Sequence, residues 1–344
     1  MTPTAAGMAS ELRGAAAAVR RQTPTLAAPL ADLARRLIRQ RPRVIVTCAR
    51  GSSAHAATFA KHLFERHLGI PVAAAAPNIA SVYHRSLDLR DQMLLVISQS
   101  GRSDDLIKTA AMARAAGAVT VAIVNDMTSP LAHTAEIVLP LAAGPELSVA
   151  ATKSFVASLA AALQLVAAWT GDAAMTAACA RLPNRLAEAS ELDWSEAIEP
   201  LARAISMVAL GRGPTLAIAR EAALKLKETC ELHAEAFSAA EFQHGPIALV
   251  SSAYPILALA PTDESAASLA KLVADLRHKG AHVLVAASGD AGRGERLPVL
   301  ASDHPDADAI CLIQSFYAFL VQLAAQRGTD VDRPRHLQKV TRTR

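Results

Sequence analysis

Aromatic residues are scarce in this 344-residue sequence, at 3% of the chain, although apolar residues make up 52%. Much of that apolar content is alanine, which favours helices and close packing over an all-β fold. A chain of this length can bury two sizeable cores. Two domains are therefore the natural expectation.

Cysteine is also sparse, and its spacing excludes the usual metal motifs. The sequence has four cysteines, and they lie far apart at Cys48, Cys179, Cys230 and Cys311. None belongs to a Cys-x-x-Cys motif or to a Cys/His ligand cluster, so no metal site is expected. Buried, reduced thiols are the expected state, which is typical of a cytoplasmic protein.

A strong excess of either charge is missing as well. The 35 basic and 31 acidic residues give a formal net charge of +4, which makes no case for nucleic acid as a partner. The N-terminus has no apolar signal-peptide core. The uncharged run 154–171 is rich in alanine and contains Ser158 and Gln164. It therefore predicts a buried core helix, and no membrane association is expected.

Short apolar runs alternate with helical patterns along the chain. After two amphipathic helices at 8–21 and 25–40, strands are predicted at 43–48, 70–76, 92–97, 118–124, 137–139, 204–210, 254–260, 281–286 and 297–300. Continuous apolar strands separated by helices are typical of a parallel sheet covered on both faces. The sequence thus predicts an α/β fold built from two similar units, with a boundary in the polar stretch 171–195.

The stretch 221–246, EAALKLKETCELHAEAFSAAEFQHGP, concentrates ionisable residues among apolar ones. Its first half consists of strong helix formers without Gly or Pro. Glu221, Lys225 and Glu228 would share one helix face. Acids, a lysine and two histidines in apolar surroundings suit proton-transfer chemistry. The Glu221–Lys225 spacing is equally typical of an ordinary surface ion pair.

A second candidate is SQSGRSDD at 98–105, between a predicted strand and a predicted helix. A helix N-terminus presents free N–H groups and the positive end of a dipole, which suit a phosphate. Gly101 lets the backbone approach closely, although the loop is neither a Walker A nor a G-x-G-x-x-G sequence. A similar turn at 51–53 is expected to carry Ser52 or Ser53 as an N-cap. Either turn alone could be a simple cap, but two at one sheet edge predict a monophosphate site.

Several motifs together resemble the double-SIS family of sugar isomerases, which includes the isomerase part of glutamine–fructose-6-phosphate aminotransferase. They are ALKLKE, HAEA, QHGP, the SQSG loop, GPELSVAATKSF at 144–155 and the ending DVDRPRHLQKVT. The resemblance runs from about Arg43 to the C-terminus. It implies two flavodoxin-like SIS domains at 41–180 and 195–330, N-terminal helices at 1–40, and an active-site tail at 331–344.

The resemblance also implies catalytic roles. Glu228 matches the base that moves a proton between C1 and C2 of the sugar, and Lys225 matches a lysine near those carbons. His244 matches a ring-opening histidine that the family donates across a dimer interface, so a homodimer with shared active sites is implied. Lys339 matches a lysine that contacts the substrate carbonyl or forms an imine with it. Without the resemblance, Lys339 would be placed in a solvated basic tail.

Substrate-binding residues follow from the same resemblance. The implied contacts to the phosphate and the sugar are Ser52, Ser53, Ser98, Gln99, Ser100, Ser103 and the backbone near Val149. Two departures leave the exact substrate open, because Arg102 replaces an acid of the aminotransferase and Ala151 replaces a serine that touches the sugar. Arg102 could be a phosphate contact or a surface residue. The corresponding turn of the second domain, APTDES, is acidic, so one sugar site per chain is expected.

Within this family the chain most resembles the SIS-type glucosamine-6-phosphate deaminases, which implies deamination of glucosamine-6-phosphate to fructose-6-phosphate and ammonia. Residues 1–40 leave no room for a glutaminase domain before the first strand, so release of ammonia is expected instead of its transfer. Such a reaction needs a base, an acid and electrostatic support, and no metal or organic cofactor. Two alternatives stay open: another amino-sugar or ketose phosphate, including a fructosamine-6-phosphate deglycase reaction, and a non-catalytic sugar-phosphate sensor.

Overall fold

The computed structural model describes residues 7–288 and 296–339, which form an α/β fold. The helices are α1 Met8–Arg13, α2 Ala15–Arg39, α3 Ser52–Leu63, α4 Asn78–Ser81, α5 Asp104–Ala115, α6 Pro130–Thr134, α7 Lys153–Thr170, α8 Ala173–Ala189, α9 Ile198–Ala202, α10 Thr215–Cys230, α11 Ala266–His278 and α12 Pro305–Arg327. The strands are β1 Ile45–Ala49, β2 Val72–Ala74, β3 Met93–Ser98, β4 Val119–Val124, β5 Ile137–Pro140, β6 Ser206–Gly211, β7 His233–Ser238, β8 Pro255–Leu259, β9 His282–Ala286 and β10 Arg296–Leu297. A π-helical turn spans Phe64–Leu68. Short 3₁₀-helical turns span Ser195–Ala197, Glu241–Gln243 and Pro246–Leu249.

The strands form two five-stranded sheets, in the orders β2-β1-β3-β4-β5 and β10-β9-β8-β6-β7. Every strand pair is parallel. Counted from the first strand of each sheet, both orders are 2-1-3-4-5, which is the flavodoxin-like arrangement. The predicted fold class, two parallel sheets flanked by helices, is confirmed.

The chain divides into two compact units that interleave along the sequence. The first-sheet unit consists of Ala17–Glu146, Lys153–Pro183 and Gln338–Arg344. The second-sheet unit consists of Met1–Ala16, Leu147–Thr152 and Asn184–Leu337. The limits expected from the sequence, 41–180 and 195–330, treat each domain as one continuous segment and stay a prediction.

Each unit has a core of aliphatic side chains between its sheet and its helices. In the first-sheet unit the buried cluster includes Val46, Leu94, Val96, Leu106 and Leu131. In the second-sheet unit it includes Val208, Ile256, Leu272, Leu276 and Val283. Each such side chain contributes about 1.5–3 kcal/mol when fully buried. Continuous apolar strands are stable here because helices cover both faces.

The N-terminal helices differ from the prediction of 8–21 and 25–40. The break lies at Gly14, and α2 runs on through Pro24 and Pro29. Proline inside a helix costs about 3 kcal/mol, because it removes a hydrogen bond and crowds the preceding turn. One face of α2 is buried at Leu26, Leu30, Leu33 and Leu37. Their burial outweighs the cost of the prolines.

Helix α8 and strand β7 are the longest elements that were not predicted from the sequence. Helix α8 lies in the stretch assigned to a polar boundary, and it buries Met175, Leu182 and Leu186. Strand β7 pairs with β6 along its whole length and forms the edge of the second sheet. Its sequence, HAEAFS, alternates between exposed and buried positions at its start, as an edge strand with one solvated face does.

All four cysteines are buried and form no disulfide. Burial raises the pKa of the Cys48, Cys179 and Cys311 thiols to about 12 and that of Cys230 to about 11. Neutral thiols are poor nucleophiles, so these side chains act as core residues.

Two helices, α7 and α12, are long and apolar enough to cross a membrane. Their most apolar windows are 83% and 78% buried within the fold. Burial of this extent is typical of core helices.

Candidate functional site

The serine-rich turns of the first-sheet unit lie at the point where the strand order reverses. Strands β1 and β3 are neighbours in the sheet, paired from Ile45↔Met93 to Ala49↔Ile97. The turns that follow them, which lead into α3 and α5, leave the same carboxyl edge. Open parallel sheets bind ligands in the crevice at such a position. The topology therefore brings the two predicted phosphate turns together.

The 98–103 loop has a fixed shape and an unused hydroxyl. The Ser98 Oγ accepts a hydrogen bond from the Gly101 N–H at 3.1 Å, and the Ser100 Oγ accepts one from the Arg102 N–H at 3.3 Å. Ser103 is the residue before α5, but its side chain makes no capping hydrogen bond. Its hydroxyl is therefore not needed by the helix and can serve a ligand.

Gly101 is required by the loop. Its φ is +62°, and a Cβ at this position would lie 2.2 Å from the Ser129 Oγ. Only glycine combines this conformation with so close an approach.

The turn before α3 differs from the prediction in one respect. Gly51, with φ +53°, occupies the N-cap position, and α3 begins at Ser52. Neither Ser52 nor Ser53 is the N-cap, because the left-handed conformation of this position suits glycine. Both serines instead lie in the first helical turn, where backbone N–H groups have no intrahelical acceptor.

Two Arg–Asp ion pairs flank the 98–103 loop. Arg50 donates from Nε at 3.0 Å and from Nη2 at 2.8 Å to the Asp105 carboxylate, which is fully buried at the start of α5. Arg102 donates to Asp126 at 2.7 Å, and both of these side chains are solvent-accessible. The Thr128 hydroxyl and Arg102 lower the pKa of Asp126. Arg102 is thus engaged in an ion pair.

Lys339, the last described residue of the predicted active-site tail, makes an ion pair within the first-sheet unit, and residues 340–344 of that tail lie outside the described residues. Its ammonium lies 3.5 Å from the carboxylate of Glu146, whose side chain is fully buried. Glu146 also accepts a hydrogen bond from the Ser154 N–H at 3.1 Å, at the start of α7. A buried carboxylate of this kind needs a counter-charge. The structure therefore gives Lys339 a defined place.

Helix α10 of the second-sheet unit carries a buried charge cluster. The Lys225 ammonium lies 3.4 Å from Glu221 and 2.5 Å from Glu228, and the Tyr317 hydroxyl donates to Glu221 at 3.0 Å. Lys225 and Glu221 are essentially inaccessible, whereas the Glu228 side chain is 21% exposed. The interpretation of Glu221–Lys225 as an ordinary surface pair is therefore wrong.

The electrostatics of the cluster favour a charged lysine. Burial acts to lower the pKa of Lys225, but the Glu221 and Glu228 carboxylates outweigh it and raise the pKa above its ordinary value. Lys225 therefore remains an ammonium at neutral pH. Glu228 combines this cationic neighbour with partial access to solvent, so its carboxylate can be reached from outside the fold, unlike that of Glu221.

The segment around Val149 is held by two carboxylates of the second-sheet unit. Glu11 of α1 accepts hydrogen bonds from the N–H groups of Leu147 and, at 3.3 Å, Ser148. Asp332, in the tail, accepts from the Ser148 hydroxyl at 3.0 Å and from the Met8 N–H at 2.6 Å. Val149 itself is half-buried.

His244 lies on an exposed stretch between β7 and β8. Its N–H donates to the Glu241 carbonyl at 3.0 Å, and its side chain is exposed. Glu235 and Glu241, the other acids of this region, are exposed as well.

The predicted site residues are divided between the two units. Ser52, Ser53, Ser98, Gln99, Ser100, Ser103 and Lys339 belong to the first-sheet unit, and Val149, Lys225, Glu228 and His244 belong to the second-sheet unit. Within residues 7–288 and 296–339, no three His, Cys, Asp or Glu side chains are grouped so as to hold a metal ion.

Sequence reasoning missed four supporting residues: Arg50, Asp105, Glu146 and Tyr317. Asp105 and Glu146 lie inside motifs singled out as SQSGRSDD and GPELSVAATKSF. Their burial and their partners are tertiary properties, which a linear pattern does not contain. Arg50 directly precedes the Gly51 turn, and this position is the only sequence feature that could have identified it as a site residue.

Comparison with known proteins agrees with this geometry. The SIS domain family matches residues 37–168 and 201–326. Glutamine–fructose-6-phosphate aminotransferases (isomerizing) of Symbiobacterium thermophilum and Pseudomonas aeruginosa are 34% and 35% identical to the chain, over 86% of its length. The chain spans about half the length of these curated relatives, 51% and 50% respectively.

Solved structures show the same fold. A Silicibacter pomeroyi protein, provisionally described as a phosphosugar isomerase, is 41% identical with a TM-score of 0.90, over 94% of this chain and 99% of that one. Glucosamine-6-phosphate deaminase of Thermotoga maritima, at 21% identity and a TM-score of 0.70 over 96% and 100% of the two chains, shares the fold. With the family matched in two segments, one around each sheet, the chain belongs to the SIS domain family.

Proposed function

We propose that the chain is a sugar-phosphate enzyme of the isomerase type, and that it deaminates glucosamine-6-phosphate to fructose-6-phosphate and ammonia. The observation that carries the proposal is the pair of serine-rich turns at the reversal point of the first sheet, with Ser103 unused by its helix. Oriented N–H groups and hydroxyls at a helix start suit a phosphate monoester. The names of the curated relatives link fructose-6-phosphate with amino-group transfer.

The proposed reaction consumes one water and needs no redox step. The open-chain aldehyde loses its C2 proton to Glu228 and forms an enolamine. Return of a proton to C1 gives the ketose imine, and water replaces the imine nitrogen, which leaves as ammonia. Lys225, at 2.5 Å from Glu228, stabilises the negative charge that develops during the first transfer. Lys339 contacts the substrate carbonyl, and His244 assists ring opening.

In the proposed division of roles, the phosphate and sugar hydroxyls are bound by Ser52, Ser53, Ser98, Gln99, Ser100 and Ser103, and by the backbone near Val149. Arg102 has no role in phosphate binding in this proposal, since Asp126 engages it at 2.7 Å. The buried, reduced cysteines fit a cytoplasmic location.

The direct test is ammonia release from glucosamine-6-phosphate, with fructose-6-phosphate measured in parallel. Glu228→Gln keeps the shape of the side chain but removes the base, so kcat should fall about 10²–10⁴-fold with little change in KM. Glu199→Gln is the matched control, because Glu199 is 72% exposed in α9. Its activity should stay within about twofold of the parent's.

Other outcomes identify the alternatives. Ammonia from galactosamine-6-phosphate or fructosamine-6-phosphate alone would assign another substrate. Binding of sugar phosphates without turnover would indicate a sensor. Full activity of Glu228→Gln would remove Glu228 from the role of base.

We also propose a homodimer with shared active sites, because His244 is exposed and its family counterpart acts across a subunit interface. Mixing inactive Glu228→Gln and His244→Ala chains should restore activity if each site combines both chains. No recovery in a mixture shown to exchange subunits would contradict sharing.

A further inference from the structure

We propose that Arg50 sets the charge of the phosphate site by neutralising the buried Asp105 carboxylate at the start of α5. Arg50 is then a positioning residue that decides whether the 98–103 loop accepts a doubly negative group. The inference rests on the proposed function in one respect, because it takes this loop as the phosphate loop.

The contact between the two side chains is well defined. Both Nε, at 3.0 Å, and Nη2, at 2.8 Å, donate to the same oxygen, Asp105 Oδ2. The other oxygen, Oδ1, accepts from the Leu106 N–H at 2.8 Å. The Asp105 side chain is 0% exposed, whereas that of Arg50 is 49% exposed. The carboxylate is therefore fixed in the protein, while the guanidinium faces both the carboxylate and solvent.

The pair joins the two turns that define the site. Arg50 directly follows β1 and precedes Gly51, and Asp105 lies in the first turn of α5, after β3 and the serine loop. Because β1 and β3 are adjacent strands, the ion pair links both sides of the reversal point. A change in its charge therefore acts where the phosphate is proposed to bind.

The local charges explain why this neutralisation matters. The first turn of α5 contains two acids, Asp104 and Asp105, which would repel a phosphate. Asp104 is exposed, so water and salt screen its charge. Asp105 is buried, where screening is weaker and a bare charge acts strongly. Within the loop itself the cation is Arg102, and it is already paired with Asp126.

Substitutions at the pair should shift anion affinity according to charge. Arg50→Gln leaves the site one unit more negative, and Asp105→Asn leaves it one unit more positive. The double variant restores the original balance with two neutral, hydrogen-bonding side chains. Phosphate affinity should therefore be highest in Asp105→Asn, lowest in Arg50→Gln, and near the parent value in the double variant.

The experiment measures dissociation constants of inorganic phosphate and of glucosamine-6-phosphate by calorimetry at low ionic strength. Arg50→Gln should raise both dissociation constants by about fivefold or more, which is the effect expected of one weakly screened unit charge. In the double variant with Asp105→Asn, both dissociation constants should return to within about twofold of the parent's values. Arg102→Gln is the matched control, since it breaks an exposed Arg–Asp pair of the same loop, and its effect should be small.

A purely structural role predicts another pattern. Both single variants would then weaken binding, and the double variant would be no better than Arg50→Gln; this result overturns the proposal. An equal loss in Arg102→Gln overturns it too. If Arg50→Gln does not fold, tighter binding by Asp105→Asn supports the proposal and weaker binding contradicts it.

The two proposals can fail separately. Glucosamine-6-phosphate that binds in the expected order but releases no ammonia contradicts only the proposed reaction. If the parent chain releases ammonia but the phosphate affinities of the variants do not follow the expected order, only the role of Arg50 is contradicted.

Discussion

Replacing Lys225 with methionine should strongly destabilise the second-sheet unit. Lys225 is 1% exposed, and its ammonium lies 3.4 Å from Glu221, which is 0% exposed. Methionine nearly conserves side-chain length, so packing changes little, but Glu221 loses the buried ammonium. Breaking a buried pair from one side costs about 3–5 kcal/mol. An exposed ion pair contributes only about 0.2–1 kcal/mol.

The two tryptophans allow the measurement to address this unit alone. Trp194 belongs to the second-sheet unit, is 1% exposed, and donates from its indole N–H to the Pro298 carbonyl at 2.8 Å. In a Trp169→Phe background, urea unfolding followed by fluorescence reports the free energy of unfolding around Trp194. Lys227→Met is the matched control, because Lys227 lies two residues further along α10 and is exposed.

The effect should also have a defined pH dependence. The folded-state pKa of Lys225 is raised, so its stabilising contribution is complete below the ordinary lysine value of 10.5 and is lost only as pH rises above it. In the parent, the contribution of the Lys225 charge should therefore be constant between about pH 6 and pH 9. A loss below about 1.5 kcal/mol, or one equal to that of Lys227→Met, would refute the assignment of a buried charge cluster.

Three further predictions concern the first-sheet unit. Ser103→Ala should raise KM for a phosphorylated sugar about 10-fold or more with kcat unchanged, since it removes a hydrogen bond to a charged group; an unchanged KM in steady-state kinetics would place the anion elsewhere. Gly101→Ala should abolish binding of inorganic phosphate in calorimetry, because its Cβ would lie 2.2 Å from the Ser129 Oγ; retained binding would contradict the fixed loop shape. Glu146→Gln should lower kcat more than it raises KM, because Lys339 loses its carboxylate partner at 3.5 Å; equal loss of thermal stability and activity would indicate a purely structural role.

Most strands could be predicted from the sequence because parallel strands buried on both faces consist of continuous apolar residues. The strands predicted at 92–97 and 118–124 are found at Met93–Ser98 and Val119–Val124. Strand β7 was missed because its sequence, HAEAFS, is partly polar, as an edge position permits. Helix α8 was missed because Pro183 and Asn184 lie inside it, and proline usually interrupts a helix.

The candidate site was predictable only in part. The position of the serine loop follows from its place between a strand and a helix. The pairing of Arg50 with Asp105 joins residues 55 positions apart, and that of Glu146 with Lys339 joins residues 193 apart. Contacts between residues so far apart in sequence form only in the packed fold. Local sequence patterns therefore do not identify the residues that hold the site.

The second sheet has the same topology as the first, but the donors at its reversal point are used differently. It has the same strand order, so the turns after β6 and β8 occupy the equivalent reversal point. There the Thr215 hydroxyl donates to the Leu259 carbonyl at 2.7 Å, and a Cβ on Gly211 would lie 2.3 Å from the Thr215 carbonyl oxygen. The Asp263 carboxylate accepts from the Ser265 N–H at 2.9 Å and from its hydroxyl at 2.5 Å.

These donors are therefore satisfied by the protein itself, in a turn closed by tight backbone packing. The Ser103 hydroxyl of the first sheet makes no such capping bond, and the buried acid beside it, Asp105, is neutralised by Arg50. An anion needs donors that the protein has not already used and a local charge that does not repel it. The first reversal point meets both conditions, whereas at the second the Leu259 carbonyl engages the Thr215 hydroxyl and the Asp263 carboxylate engages Ser265. This difference supports one sugar-phosphate site per chain.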